Sequence, residues 1–240
     1  MTDLTDRQVQ ILRAVVEEYM QTAEPVGSET LDRKYNLGVS PATIRNEMAY
    51  LVDLGYLKQP HTSAGRIPSA TAIRLYIDEM MKERSLTVAE EVSAKEKVWE
   101  KREVLGDVLR AVTYELARRT GSIGVAVTDE LKVYHAGYAH VLDLPEFYDI
   151  DVTKSVLSML DEAQQLLDLF RRAHDDREIH VLLGDDFGNQ FLEPVGVVYT
   201  DFQTSHHRGS VGVIGSARLD YPYVVPLVRH FGQLIREFSA

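Results

Sequence analysis

Pro60 and Pro68 stand on either side of the loop HTSAGRI, and this spacing constrains the fold more than any other feature of the chain. Proline cannot donate to a strand ladder, so the flanking pieces Leu57 to Gln59 and Arg66 to Pro68 are confined to edge strands of a two-stranded ribbon around a glycine-containing loop. What precedes the ribbon is helical. Thr5-x-x-Gln8 reads as a capping box with Leu4 and Val9 as its hydrophobic staple, and Val9, Leu12, Val16 and Tyr19 recur at helical spacing. This helix is expected to stop near Thr22, before Pro25 and Gly27, and Ser28 to cap a second through about Lys34. Ser40 caps a third, with Pro41 at the position where a missing N–H costs nothing, and Gly55 ends it. Ile73, Ile77 and Met80 mark a fourth. Three helices and then a hairpin is the order of elements in a winged helix-turn-helix.

Composition taken whole argues against an anionic partner, because the net charge is −11 and the pI about 5.2. The distribution reverses that reading locally. Residues 33 to 76 carry six bases (Arg33, Lys34, Arg45, Lys58, Arg66, Arg74) against two acids, Glu47 and Asp53. The segment is +4 inside an acidic chain. There is no cysteine, so disulfides and Cys-based zinc sites are excluded. No apolar run approaches 18 residues and no leader pattern opens the chain, so a soluble, cytoplasmic protein with no membrane partner is expected, nucleoid-associated if it holds DNA.

The third helix has an unusual outer face. With Ile44 at 0° and 100° per residue, Met48, Leu51 and Val52 form the buried stripe, while Ala42, Asn46, Ala49 and Asp53 fall opposite, flanked by Thr43 and Arg45. Small residues around one asparagine suit a helix entering the major groove, where Asn pairs with adenine and Arg with guanine. A merely solvated face is the competing reading, though it would more often be rich in Glu and Lys. The loop favours the first. His61, Thr62, Ser63 and Arg66, with the main-chain N–H groups beside Gly65, cluster short donors on a hairpin tip suited to phosphates and the minor groove. A catalytic Ser-His pair would need an orienting acid, and a phosphate-binding loop its lysine before a helix; neither is present locally. The expected DNA-binding set is therefore Ser40, Ala42, Thr43, Arg45, Asn46, Ala49, Lys58, His61, Thr62, Ser63, Gly65 and Arg66.

Residues 83 to 119 read as a linking helix between a winged helix over 1 to 82 and a second domain over 120 to 240. Strands are expected at Ile123 to Val127, Leu131 to Tyr138, Ile179 to Leu183, Val195 to Tyr199 and Val211 to Ile214, with helices over 152 to 173 and 222 to 238. That order suggests an α+β domain on a mostly antiparallel sheet. The dispersed His135, His140, His174, His180, His206 and His207 lack metal-helix spacing, and Asp185-Asp186-Phe187-Gly188-Asn189 reads as a turn, so no metal, cofactor or catalytic residue is assigned.

The runs YMQTAEPVGSETL, SPATIRNEM and GYLKQPHTSAGRIPSATAIRLYIDEMM resemble the N-terminal winged helix of the HrcA family, closely so over residues 4 to 82. GSVGVIGSARLDYPYVVPLVRHFGQLI resembles that family's closing strand and helix, and DLPEFYDID its short Pro-Glu-Phe segment. The resemblance implies a GAF-like second domain and a homodimer. It also implies repression of chaperone genes through the inverted-repeat CIRCE operator of the groE and dnaK operons, with the chaperonin GroEL keeping the repressor active. One departure is visible: KVYHAGYAHV leads almost directly to DLPEF, where the family usually carries an inserted dimerising segment. The dimer interface is then expected on the helix of residues 86 to 119 and on the GAF-like domain, where the stripe Leu105, Leu109, Val112 and Leu116 needs a cover, unless that stripe packs on its own sheet. Two other classes stay open: a winged-helix regulator of other genes whose second domain senses a small molecule, and an enzyme using the acidic domain.

Overall fold

The computed structural model describes residues 4–172 and 177–238. His174 and the expected helix end at Ala173 lie outside them. The chain divides into two compact units, Met1–Met81 and Lys82–Ala240.

In the first unit, α1 (Asp6–Thr22) starts at the expected box: Gln8 N–H donates to Thr5 Oγ1 at 3.4 Å, and Thr5 N–H to Gln8 Oε1 at 2.9 Å. α2 spans Ser28–Lys34, but its N-cap is Gly27, so Ser28 is the first helical residue and buries its side chain instead of capping. α3 (Pro41–Asp53) is capped by Ser40, whose Oγ accepts from Thr43 N–H. β1 (Leu57–Lys58) and β2 (Ile67–Pro68) pair antiparallel and are two residues each, shorter than the proline boundaries alone suggest. α4 (Ala70–Leu75) continues as a π-helical turn over Tyr76–Met80, which carries Tyr76 and Met80 into the core. Ile11, Leu12, Leu31, Ile44, Leu51 and Leu57 fill that core with no solvent exposure above 2%. Burial of this order contributes about 1.5–3 kcal/mol for each large side chain.

The second unit is a five-stranded, wholly antiparallel sheet of β3 (Ile123–Thr128), β4 (Val133–Ala136), β5 (His180–Leu183), β6 (Val195–Gln203) and β7 (Arg208–Ser216), in the order β4-β3-β7-β6-β5. Both faces are covered. α6 (Leu105–Thr120) and α10 (Tyr221–Phe238) pack on one, with α5 (Val88–Trp99) against them. α7 (Tyr138–Leu142), α8 (Ile150–Asp161) and α9 (Ala163–Arg172) close the other over a core that includes Val125, Phe147, Val156, Phe170 and Tyr199. Burial on both faces explains why the strands read as apolar runs without alternation. The approach of α6 is close enough that a Cβ on Gly124 would lie 2.0 Å from the Thr113 carbonyl oxygen. The architecture is α+β, a winged helix-turn-helix followed by a GAF-like domain.

Several expectations need correcting. The single linking helix is two helices, α5 and α6, separated by residues 100 to 104, and both belong to the second unit. Leu109, Val112 and Leu116 are fully buried and Leu105 half-buried, so the stripe expected to form a dimer interface is already covered by the chain's own sheet. The helix over 152 to 173 breaks at Glu162 into α8 and α9. β4 is shorter than Leu131 to Tyr138, because Leu131 and Gly137 take positive φ (61° and 92°) and turn the chain at both ends. Asp185 and Asp186 lie in a 3-10 turn, where Asp186 accepts from Leu183 N–H.

Glu146, in the Pro-Glu-Phe segment, ties this layer to the corner after β7. Ser216 Oγ donates to its Oε1 at 2.8 Å and Arg218 Nη2 to its Oε2 at 3.0 Å. Burial alone would push the Glu146 carboxyl up. The hydrogen bonds from Arg218 and Ser216 and the Arg218 charge outweigh burial and hold it below the ordinary carboxylate range.

Candidate nucleic-acid interface

The site is built from α3 and the wing. Ile44, Met48 and Leu51 are buried, which sets the helix rotation and leaves Ala42, Arg45, Asn46, Ala49 and Tyr50 exposed, with Thr43 half-buried. Glu47, an acid on this helix, is turned away: Gln8 Nε2 donates to its Oε2 at 3.0 Å and Arg7 Nη1 lies 3.7 Å from its Oε1. Arg45 and Asn46 make no side-chain hydrogen bond or ion pair among the described residues, so both are available to a partner. Ser40 is exposed at the helix start, its hydroxyl 3.1 Å from that of Thr43.

The wing tip is ordered by its own bonds. Gln59 Nε2 donates to the carbonyls of Thr62 (2.9 Å) and Ala64 (3.2 Å), Ala64 N–H closes a turn onto His61 O, and His61 Nδ1 lies 3.2 Å from Ser63 Oγ. His61, Thr62, Ser63 and Lys58 are exposed. Val26, just before α2, bridges to Arg66 with both N–H···O distances at 2.8 Å, so the segment between α1 and α2 anchors the wing. Gly65 permits that approach, since a Cβ there would stand 2.5 Å from the Val26 carbonyl carbon and oxygen. Arg66 is half-buried and folds back, with Nη1 donating to Ala64 O at 3.1 Å. Its Nε is buried without a hydrogen-bond partner.

A cleft of about 400 Å³ opens between the two parts, lined by Arg45 and Met48 of α3, by Gly27 and Ser28, and by Ser63 and Arg66 of the wing. Two guanidiniums and several short donors therefore face one concavity, an arrangement suited to phosphate oxygens beside a groove-reading helix. Three more residues border or support this surface. Tyr50, 49% exposed and one turn from Asn46, is legible from the same helical wheel; the Gln59 side chain and the Val26 backbone hold the wing through contacts to main chain that no local pattern announces.

Gly65→Ala is expected to break the Val26–Arg66 bridge. Its methyl group meets backbone that cannot rotate away, at a cost of about 1–3 kcal/mol. Hydrogen exchange at the Val26 and Arg66 amides should accelerate sharply while that of the α1 core stays slow; unchanged protection of both amides would show that the wing accommodates the methyl.

This is the geometry of a winged-helix DNA-binding regulator carrying an α+β second unit. A family model described as HrcA protein C terminal domain matches residues 64–225, and the chain belongs to the HrcA family. It is similar to the heat-inducible transcription repressor HrcA of Desulforudis audaxviator (strain MP104C), 30% identical over 328 residues, with 95% of each chain covered. It is also similar to the repressor of that name from Clostridium perfringens (strain 13 / Type A), 60% identical over 88 residues, which are 37% of this chain and 26% of that one. An alignment over 328 residues exceeds the 240 of this chain, so that relative carries internal residues this chain lacks. A crystal structure of a hypothetical protein at 2.2 Å resolution shares the fold, with a TM-score of 0.76 at 19% identity over 98% of this chain and 97% of that one. The chain is thus a transcription repressor of the heat-inducible class. Among the described residues no helix is long and apolar enough to cross a membrane.

Proposed function

We propose that this chain represses chaperone genes such as those of groE and dnaK in the cytoplasm, by binding as a homodimer to an inverted-repeat operator of the CIRCE kind. In this reading Arg45 and Asn46 read base edges from α3, and the wing lays His61, Thr62, Ser63 and Arg66 on the adjacent backbone. The observation that carries it is the exposed front of α3, where Arg45 and Asn46 have no side-chain partner among the described residues and the one exposed acid, Asp53, stands at the helix's last position, set beside a cleft that holds a second guanidinium. GroEL is proposed as the partner that keeps the repressor active, on the family resemblance alone.

The test compares operator with random DNA across a salt series. Asn46→Ala and Arg45→Ala are each expected to lose about 1–3 kcal/mol on the operator and much less on random DNA. Arg66→Ala should weaken both alike and reduce the log-log salt slope by about one unit, since one phosphate contact is lost. Equal losses on both DNAs for Asn46→Ala and Arg45→Ala would reassign α3 to backbone contacts, and an unchanged slope would take Arg66 off the phosphates. A second reading, a regulator whose second unit senses a small molecule, is favoured by one observation, a cleft beside α8 and α9.

A further inference from the structure

On the second unit, α8, α9 and the two 3-10 turns after β5 (Gly184–Phe187 and Gln190–Leu192) enclose a cleft of about 470 Å³. That is within the range of small-molecule sites. Its floor is apolar: Met159, Leu169, Phe187 and Leu192 are buried yet each keeps 6–7% exposure, whereas Leu166 and Phe170 beside them in the core keep 0% and 1%. The residual exposure is what an open floor leaves. Phe191, 39% exposed, stands at the mouth.

The rim carries charge of both signs. Asp151, Lys154 and Ser158 project from successive turns of α8 into the cleft, and Asp168 faces them from α9. Acid and base three residues apart on a helix readily pair, as Asp107–Arg110 (3.5 Å) and Glu115–Arg118 (2.8 Å) do elsewhere in this chain. Asp151 and Lys154 have the same spacing but make no ion pair among the described residues. Among the described residues, Asp168 receives the neutral Gln164 amide alone, at 2.9 Å. Among the described residues, Lys154 and Asp168 thus lack an ionic partner, and they line opposite walls of an apolar floor.

We propose that this cleft binds a small amphipathic zwitterion of the class of large apolar amino acids and their dipeptides. The ligand's carboxylate would meet Lys154 and the Ser158 hydroxyl, its ammonium Asp168, and its side chain the floor under Phe191. A phosphorylated ligand is disfavoured, because one lysine between two aspartates gives no net positive field. Purely apolar ligands would leave both charges unanswered. The proposal is independent of the operator reading, since it concerns residues of the second unit alone.

Calorimetry on the full chain with L-phenylalanine, L-tryptophan and phenylalanyl-leucine tests it, with phenylacetate and phenethylamine as probes lacking one charge. Saturable binding is expected for at least one zwitterion, weaker for both single-charge probes. Lys154→Met should lower zwitterion affinity about tenfold or more and leave phenethylamine unaffected, while Asp168→Asn should lower zwitterion affinity to a similar extent and leave phenylacetate unaffected. Both side chains are exposed, so both variants should melt as wild type does without ligand. Met159→Trp, which fills the floor, should abolish binding. Absence of heat with every zwitterion at millimolar concentration, or binding indifferent to both Lys154→Met and Asp168→Asn, would overturn the assignment.

Discussion

A duplex carrying one half of the inverted repeat is expected to bind about 10²–10⁴-fold more weakly than the full repeat, because two linked contacts make the second one intramolecular. One α3 and one wing offer few base contacts, and the +4 of residues 33 to 76 sits in a chain of net charge −11, so a single copy has little general attraction to hold it on DNA. Helix-turn-helix dimers place their recognition helices about one helical turn apart on the duplex. Inserting about five base pairs between the half-sites should therefore turn one of them to the opposite side and reduce affinity to the half-site level. Titration of the three duplexes at fixed salt, with sedimentation to count the copies bound, provides the measurement. Equal affinity for half and full repeats would remove the two-fold reading, and with it the homodimer. The contact between copies cannot use the stripe of α6, since Leu109, Val112 and Leu116 have no exposed area to offer.

That stripe marks where sequence reading stops. Its spacing correctly announced an amphipathic helix, but periodicity says only that one face needs a cover and not whether the cover is the same chain or another. Gly124 has no side chain to hold α6 off β3, and a glycine in an apolar run gives no sign of the helix it will meet. Caps and prolines were more informative because their physics is local. Thr5, Ser40 and the pair Pro60 and Pro68 located α1, α3 and the wing within a residue or two. The exposed face of α3 was legible for the same reason. The anchoring of the wing was not, since Val26 and Arg66 are forty residues apart and meet only through backbone. The cleft of α8 and α9 was hidden by the unannounced break at Glu162, which turns one expected helix into two walls.

Arg218→Met is expected to destabilise the second unit by about 3 kcal/mol at neutral pH, because it strips the partner from a mostly buried carboxylate without removing the carboxylate. The side chains of Arg218 and Glu146 are only 11% and 14% exposed, so solvent does little to replace the lost bonds. In the wild type the Glu146 carboxyl lies below its ordinary range. Its contribution is therefore complete at pH above the unfolded carboxylate value and declines as pH falls through the folded one. In the variant the sign reverses, since burial, the largest single influence on this group, then acts without the opposing arginine and raises the carboxyl. The variant should thus gain stability on acidification through that raised value while the wild type loses it only at lower pH. Thermal melts at neutral pH and near pH 5 should show the gap between the two proteins narrowing, with a melting-temperature difference on the order of 10 °C at neutral pH. Adding Glu146→Gln to Arg218→Met should return part of the loss, because a neutral amide leaves no buried charge. A gap independent of pH, or a double variant no better than the single one, would mean that the Glu146 carboxylate reaches water once Arg218 is gone and that the link between the Pro-Glu-Phe segment and the β7 corner is merely superficial.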